Sequence, residues 1–354
     1  MPAPRTPKQR PKEAFARDLK NLAKTVSFSE TTNQSRLLAP NIRSIAWSPT
    51  GICIATALAR NIRIWNPEAP DVRQSTEIRN ASNVGNVEKL AFCPTYESIL
   101  ASTGQDGSCR LWDVRTPGGV AVSGRGTKLA ECKTGDTGLF LTWHPNGHEL
   151  LVGRKDDTVQ LVDTRRMTAP GGEPTWETSV QEKTPEKDMG QFNGMAFSNS
   201  GSKLFVTTGE GPIKILDWPS LDTIRTLRGH TSATNTVQHS PTGAYIAVGG
   251  NDSIITLWDT EMWYSANSVM SHAGSVRDVS FSFDGNYIVA GSGLDAREGA
   301  AGLQITHVDS GEDVITMDTQ NPVSWAAWHP FRYWIAYTGD AGGLKIINAG
   351  STYF

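Results

Sequence analysis

One short pattern recurs seven times along the 354 residues: an apolar, strand-like run that ends on a Trp-Asp position or its equivalent. In chain order the run closes on Ile64-Trp65-Asn66, Leu111-Trp112-Asp113, Leu161-Val162-Asp163, Ile215-Leu216-Asp217, Leu257-Trp258-Asp259, Ile305-Thr306-His307 and Ile346-Ile347-Asn348. The middle positions are 47, 50, 54, 42, 48 and 41 residues apart. A second marker precedes each of them: Trp47-Ser48-Pro49, Phe92-Cys93-Pro94, Trp143-His144-Pro145, Phe197-Ser198-Asn199, His239-Ser240-Pro241, Phe281-Ser282-Phe283 and Trp328-His329-Pro330. A unit of forty-odd residues, with short apolar runs separated by turn residues, makes a small sheet that cannot bury both faces alone. Its copies must pack on one another.

The most regular unit, Gly229 to Asp259, holds three strand-like runs, Ala233 to Gln238, Tyr245 to Val248 and Ile254 to Trp258, divided by Ser-Pro-Thr-Gly and Gly-Gly-Asn-Asp turns. In every unit the last run carries an apolar pair two residues apart: Ile62 and Ile64, Cys109 and Leu111, Val159 and Leu161, Ile213 and Ile215, Ile255 and Leu257, Leu303 and Ile305, Leu344 and Ile346. A period of two sends both members to one face of a sheet, so neighbouring units bury them between each other. The Gly-His opening and Trp-Asp closure of Gly229 to Asp259 are those of a WD repeat. The expected fold is all-β, a seven-bladed WD40 β-propeller over residues 25–354, preceded by a basic N-terminal arm and short helix over residues 1–24.

A ring of blades leaves a seam. The stretch 25–38 is the natural source of a strand that completes blade seven, because the chain ends soon after that blade's third strand. Within the arm, Pro11, Glu13 and the spacing of Phe15, Leu19, Leu22 and Val26 predict an amphipathic helix ending near Lys24. Packing on its own propeller and docking on a partner are both compatible with that pattern. Two insertions break the regularity: Thr164 to Gln191, expected as a long surface connection, and Leu294 to Gly302, an expanded turn in blade six.

The net charge of −3 excludes a protein that coats nucleic acid by charge throughout. Residues 1–24, however, hold seven Lys or Arg against two acids, so the arm is basic and the body acidic. Arg5, Lys8, Arg10 and Lys12 are the candidate RNA-contacting residues of that arm. Cys53, Cys93, Cys109 and Cys132 form no CxxC pair, which suits a reducing compartment. No apolar run is long enough to span a membrane, so no membrane partner is expected.

Chemistry-bearing motifs are sparse. No phosphate loop, HExxH, paired Cys or His at metal spacing, or nucleophile elbow occurs, so neither an enzyme nor a cofactor is expected. His144 and His329 occupy the same hairpin slot that Ser48 and Ser240 fill elsewhere, and read as structural. WD repeats tie a turn Asp to the histidine of Gly-His and, through a hydroxyl, to the Trp indole. His230, Asp252 and Trp258 match this network, with Gly249 and Gly250 where the hydroxyl is expected; Ser102, Asp106 and Trp112 match it without the Gly-His. Residues just before the turn Asp, Gln105, Lys155 and Asn251, should share one rim of the disc with Ser232 and Ser275 and are the candidate partner-facing set.

Beyond the repeats, four runs carry a narrower likeness: VGRKDDTVQLVDTRR from Val152, FVTTGEGPIKILDWPSLDTIRTL from Phe205, VRDVSFSFDG from Val276 and VSWAAWHPFRYWIAYTGD from Val323. Together they resemble the family of WD-repeat third subunits of the THO complex, from about Ile42 to Ile347. The resemblance implies a nuclear, non-catalytic scaffold subunit of THO within TREX, which couples transcription and mRNP packaging to mRNA export. It also implies partners: the large helical-repeat subunits of THO, with the export RNA helicase and adaptors reached indirectly. The insertions at 164–191 and 294–302 depart from what the family leads one to expect. Two other readings stand beside this one, a WD-repeat adaptor of another RNA-processing or ubiquitin-ligase assembly and an RNA binder acting through the basic arm.

Overall fold

The computed structural model describes residues 12–28, 42–115, 127–164, 166–167, 175–176, 179–182, 190–269, 274–292, 302–319, 321–339 and 343–348. Seven four-stranded antiparallel sheets are arranged as the blades of a propeller. Blade 1 is built from Ile42–Trp47, Ile54–Leu58, Asn61–Trp65 and Thr76–Ile78, and blade 2 from Val87–Phe92, Ile99–Gly104, Ser108–Asp113 and Thr127–Lys133. Blade 5, the most regular in sequence, has Thr234–His239, Tyr245–Gly250, Ile255–Asp259 and Ser265–Val269. The β-branched and aromatic runs form strands because each can bury one or both faces against a neighbouring sheet.

Burial is greatest in the middle strands of a blade and falls off in the outer one. All six residues of Ile99–Gly104, a second strand, are buried, whereas four of the five in Thr223–Leu227, the outer strand of blade 4, are exposed. The paired apolar positions sit where the two-residue period directs them: Ile62, Leu111, Ile213, Ile215, Leu257, Leu303 and Ile305 are at most 1 % exposed. Packing runs between blades. Ile62 and Ile64 of blade 1, for example, share a cluster with Leu90 and Phe92 of blade 2. Burial of such side chains contributes roughly 1.5–3 kcal/mol each and is the main force that joins the blades.

The strand Lys24–Phe28 pairs antiparallel with Leu344–Asn348 and is the fourth strand of blade 7. Phe28 is fully buried and lies edge-on to Trp65 of blade 1, with ring centroids 5.5 Å apart. One short strand therefore serves both its own sheet and the joint to the next. Val26, which continues the helical spacing in the sequence, belongs to this strand. The helix itself is Lys12–Leu22 and packs on its own propeller. Phe15 stacks on Tyr287 at 4.0 Å, and Leu19 is buried in the same cluster between blades 6 and 7.

The stretch 164–191 is more than a surface connection, because it contains the outer strand of blade 3, Ser179–Glu182, paired with Val159–Asp163. A small hairpin of Arg166–Met167 and Thr175–Trp176 lies within it. This outer strand has little apolar alternation, which is why its sequence reads as a loop. The expanded turn 294–302 falls outside the described residues except for Gly302, which opens the third strand of blade 6.

Candidate partner-binding rim

In an up-and-down blade the second-to-third-strand turns lie at one end of the disc, together with the segments that enter each inner strand. Gln105, Lys155 and Asn251 occupy those turns and are exposed. One backbone hydrogen bond repeats in all three. The N–H of Gln105 donates to the Asn86 carbonyl at 3.0 Å, that of Lys155 to Thr137 at 2.9 Å, and that of Asn251 to Ala233 at 2.8 Å. Blade 4 makes the equivalent bond from Gly209 to Gln191. This recurring bond fixes the turns against the inner strands, so their side chains stand at equivalent places around the rim.

The three side chains differ in what they offer. Gln105 is engaged on both sides: its Oε1 accepts from the Asn86 N–H at 3.2 Å and its Nε2 donates to Glu88 at 2.6 Å. Glu88 in turn holds Arg43 through two contacts of 2.9 and 3.0 Å. Asn251 accepts from Asn235, whose amide nitrogen also donates to the Val276 carbonyl. For Lys155 the backbone bond is the one hydrogen bond found among the described residues, and the residue is exposed. Ser232 is half-buried. Ser275 must be withdrawn from the partner-facing set, because at 3 % exposure it is enclosed at the entry to blade 6 and presents no surface.

Arg43, Glu88, Asn193 and Asn235 occupy the bulge position of their inner strands, where the register shifts by one residue. Sequence reading missed them, since a bulge leaves no mark beyond a polar residue in an apolar run. One residue further on, Lys89 of blade 2 lies 4.5 Å from the Trp325 ring of blade 7. Asp278 of blade 6 accepts backbone hydrogen bonds from Ala326 and Val279. Burial pushes its carboxyl up to about 6, against the opposing pull of Lys89 and these hydrogen bonds.

The turn network of blade 5 is complete, and this corrects the expectation of a missing hydroxyl at Gly249 and Gly250. His230 Nδ1 meets the Asp252 carboxylate at 3.0 and 3.1 Å, and its Nε2 meets Thr256 Oγ1 at 2.8 Å. Trp258 Nε1 donates to the same hydroxyl at 2.9 Å. Thr256 is the cross-strand partner of Val248, and Val248 stands where blades 1 and 2 carry Thr56 and Ser102. The hydroxyl has therefore moved across one rung of the ladder. In blade 2, Trp112 Nε1 donates to Ser102 Oγ at 2.8 Å, and Arg110 replaces the histidine by reaching Asp106 at 2.7 Å.

Of the arm residues, Arg5, Lys8 and Arg10 lie outside the described residues. Lys12 is no part of a free arm, because it opens the helix and pairs with Glu312 of blade 6. On the opposite end of the disc, His144 and His329 seal blade joints, their Nε2 atoms 3.0 and 3.2 Å from the carbonyls of Gly201 and Gly51 in the next blade. At Gly51, with φ of +72°, a Cβ would sit 2.2 Å from the His329 ring, so both the turn and the close approach require glycine. Burial pushes His329 down to about 4, in keeping with a neutral packing role.

The WD domain, G-beta repeat model matches residues 33–66, 78–113, 221–259 and 264–296. The chain is 27 % identical over 300 residues to "THO complex subunit 3" of Arabidopsis thaliana, covering 84 % of this chain and 86 % of that protein. It is 26 % identical over 266 residues to "WD repeat-containing protein AAC3" of Dictyostelium discoideum, covering 68 % and 51 %. Among solved structures it is similar to the Cps50 (Swd1) β-propeller domain of Myceliophteria thermophila, with a TM-score of 0.71 at 18 % identity over 93 % of this chain and all of that one. Four blades match the WD40 repeat and all seven share one four-stranded build, so the chain is a seven-bladed β-propeller that carries WD40 repeats.

Proposed function

We propose that this chain is the WD-repeat scaffold subunit of a THO complex. The observation that carries the reading is likeness to a THO subunit along nearly the full length of both chains. Sharing the fold alone would not fix a role, since propellers of this build serve many assemblies. On this reading the protein is nuclear and non-catalytic, acts within TREX, and couples transcription and mRNP packaging to mRNA export. It docks on the large helical-repeat subunits and reaches the export helicase and adaptors through them. The rim supports docking because its exposed groups are held by a repeated backbone bond and need little ordering on binding. Lys155 is an exposed basic residue of this rim.

Affinity capture of the full chain from nuclear extract tests the reading. Recovery of the large THO subunits is expected, with reduced recovery for Lys155→Glu combined with Gln105→Ala and Asn251→Ala. Recovery of another RNA-processing or ubiquitin-ligase assembly in their place overturns the THO assignment. Full recovery with the triple variant moves the interface off this rim. RNA retention that falls steeply with salt and vanishes when residues 1–11 are removed assigns RNA contact to the arm.

A further inference from the structure

Cys109 and Cys132 face each other on the two outer strands of blade 2. They are cross-strand partners in the ladder between Ser108–Asp113 and Thr127–Lys133, flanked by the rungs Ser108 with Lys133 and Arg110 with Glu131. Cα atoms directly opposite in an antiparallel pair lie about 4.5–5.5 Å apart, within the range that a disulfide spans. The Cys132 sulfur is 3.6 Å from the Cys109 carbonyl oxygen. Both thiols are free, Cys109 is 2 % exposed and Cys132 is 9 % exposed on the edge strand. The other two cysteines stand apart. Cys93 follows the inner strand of the blade, with its sulfur on the Gly147 carbonyl at 3.5 Å, and Cys53 belongs to blade 1.

We propose that Cys109 and Cys132 form a reversible cross-strand disulfide in response to hydroperoxides. The pair is asymmetric in a way that suits the chemistry: a hydrogen bond from the Cys109 thiol holds Cys132 below the ordinary thiol value despite burial, so the more exposed sulfur is the nucleophile. Cys132 gives its proton to solvent and attacks one peroxide oxygen, the O–O bond breaks, and the departing oxygen leaves as water or alcohol. The sulfenic acid on Cys132 is then attacked by the Cys109 sulfur. An S–S bond forms, the S–O bond breaks, and the hydroxide leaves as water with the Cys109 proton. Two electrons pass from the two thiols to the peroxide, and thiol exchange with a small dithiol returns them. The disulfide ties the edge strand to its neighbour one rung from Arg110, which holds the Asp106 turn beside Gln105.

The test is thiol mapping on the full native chain. The protein is treated with hydrogen peroxide, denatured in N-ethylmaleimide and digested with trypsin. The expected product links the peptide of residues 90–110 to that of residues 129–133, with maleimide on Cys93 and Cys53. Alkylatable thiols fall from four to two and return to four after dithiothreitol. Under the same dose Cys93→Ser falls from three thiols to one, and Cys132→Ser keeps all three. Four thiols in the treated wild type, or links through Cys53 or Cys93, overturn the proposal whether or not the variants fold.

Discussion

Blades 2 and 5 solve one problem with opposite chemistry. In both, the turn carboxylate accepts the N–H of the segment entering the blade, Asn83 to Asp106 at 2.8 Å and Thr231 to Asp252 at 3.0 Å. In both, a hydroxyl receives the Trp indole. What holds the carboxylate differs. Blade 5 uses His230, fully buried, supplied by the entering segment itself and shared between carboxylate and hydroxyl. Blade 2 uses the Arg110 guanidinium, supplied from the third strand and shared among Asp106, Glu131 and the Ala81 carbonyl. One Asp106 oxygen finds no hydrogen-bond partner among the described residues, whereas both oxygens of Asp252 are used. The histidine relay ties one turn with few groups, while the guanidinium gathers two acids and a carbonyl around a buried charge.

The largest effect follows from that charge. Arg110 and Asp106 side chains are both 4 % exposed, so Arg110→Met leaves a buried carboxylate without its cation. Loss of one partner of such a pair costs about 3–5 kcal/mol, and chemical denaturation should show a loss in that range. His230→Ala removes hydrogen bonds from a site with less charge at stake, and about 1–3 kcal/mol is expected by the same measurement. Equal losses in the two variants would break the comparison.

Acid titration sharpens it. Burial alone would raise the Asp106 carboxyl, but the Arg110 and Asn83 hydrogen bonds and the nearby cations bring it below its ordinary value. Glu131 is likewise lowered, first by Lys128 and then through Arg110. Depressed folded values mean that this stability is complete above the ordinary carboxylate range, about pH 4, and is lost as the pH falls through the folded values. In Arg110→Met the cation is gone and burial pushes Asp106 up instead, so the sign reverses and the gap to wild type narrows on acidification. Asp278, pushed up to about 6, acts in the other direction, its contribution falling as pH rises from about 4 to 6. It is present in both proteins and drops out of the difference. Thermal midpoints of both from about pH 3 to 7 check the sign.

The repeats were legible because their signals are local. An apolar pair two residues apart and a turn residue at a fixed offset survive in every blade, however eroded the Trp-Asp marker. The outer strands were not, since a strand such as Thr223–Leu227 buries only its last residue and carries almost no alternation. Rim positions could be placed from turn offsets, yet their availability could not. Ser275 is enclosed by packing, and Gln105 and Asn251 are held by residues on other strands, which no offset within one turn records. Lys12 looked like part of a basic arm because Glu312 lies 300 positions away in sequence.

The last substitutions probe Thr256, another residue that sequence reading misses. Thr256 carries no sequence mark, because the hydroxyl is expected on the second strand, at Gly249 and Gly250, and the register puts Val248 at the equivalent place. Directly opposite positions of an antiparallel pair lie on one face, so either can bring an oxygen to the Trp258 indole. Thr256→Val removes that oxygen at nearly constant volume and leaves His230 Nε2 and Trp258 Nε1 without an acceptor, a loss of about 1–3 kcal/mol. Val248→Thr alone adds a second hydroxyl to an already satisfied site and should cost about 1 kcal/mol or more for an unpaired buried hydroxyl. If the rung matters and the strand does not, the double variant Val248→Thr with Thr256→Val restores the arrangement that Ser102 gives Trp112, and its loss is smaller than the sum of the singles. An additive double variant would mean that His230 reaches only the third strand, and that the two blades differ in geometry as well as in chemistry.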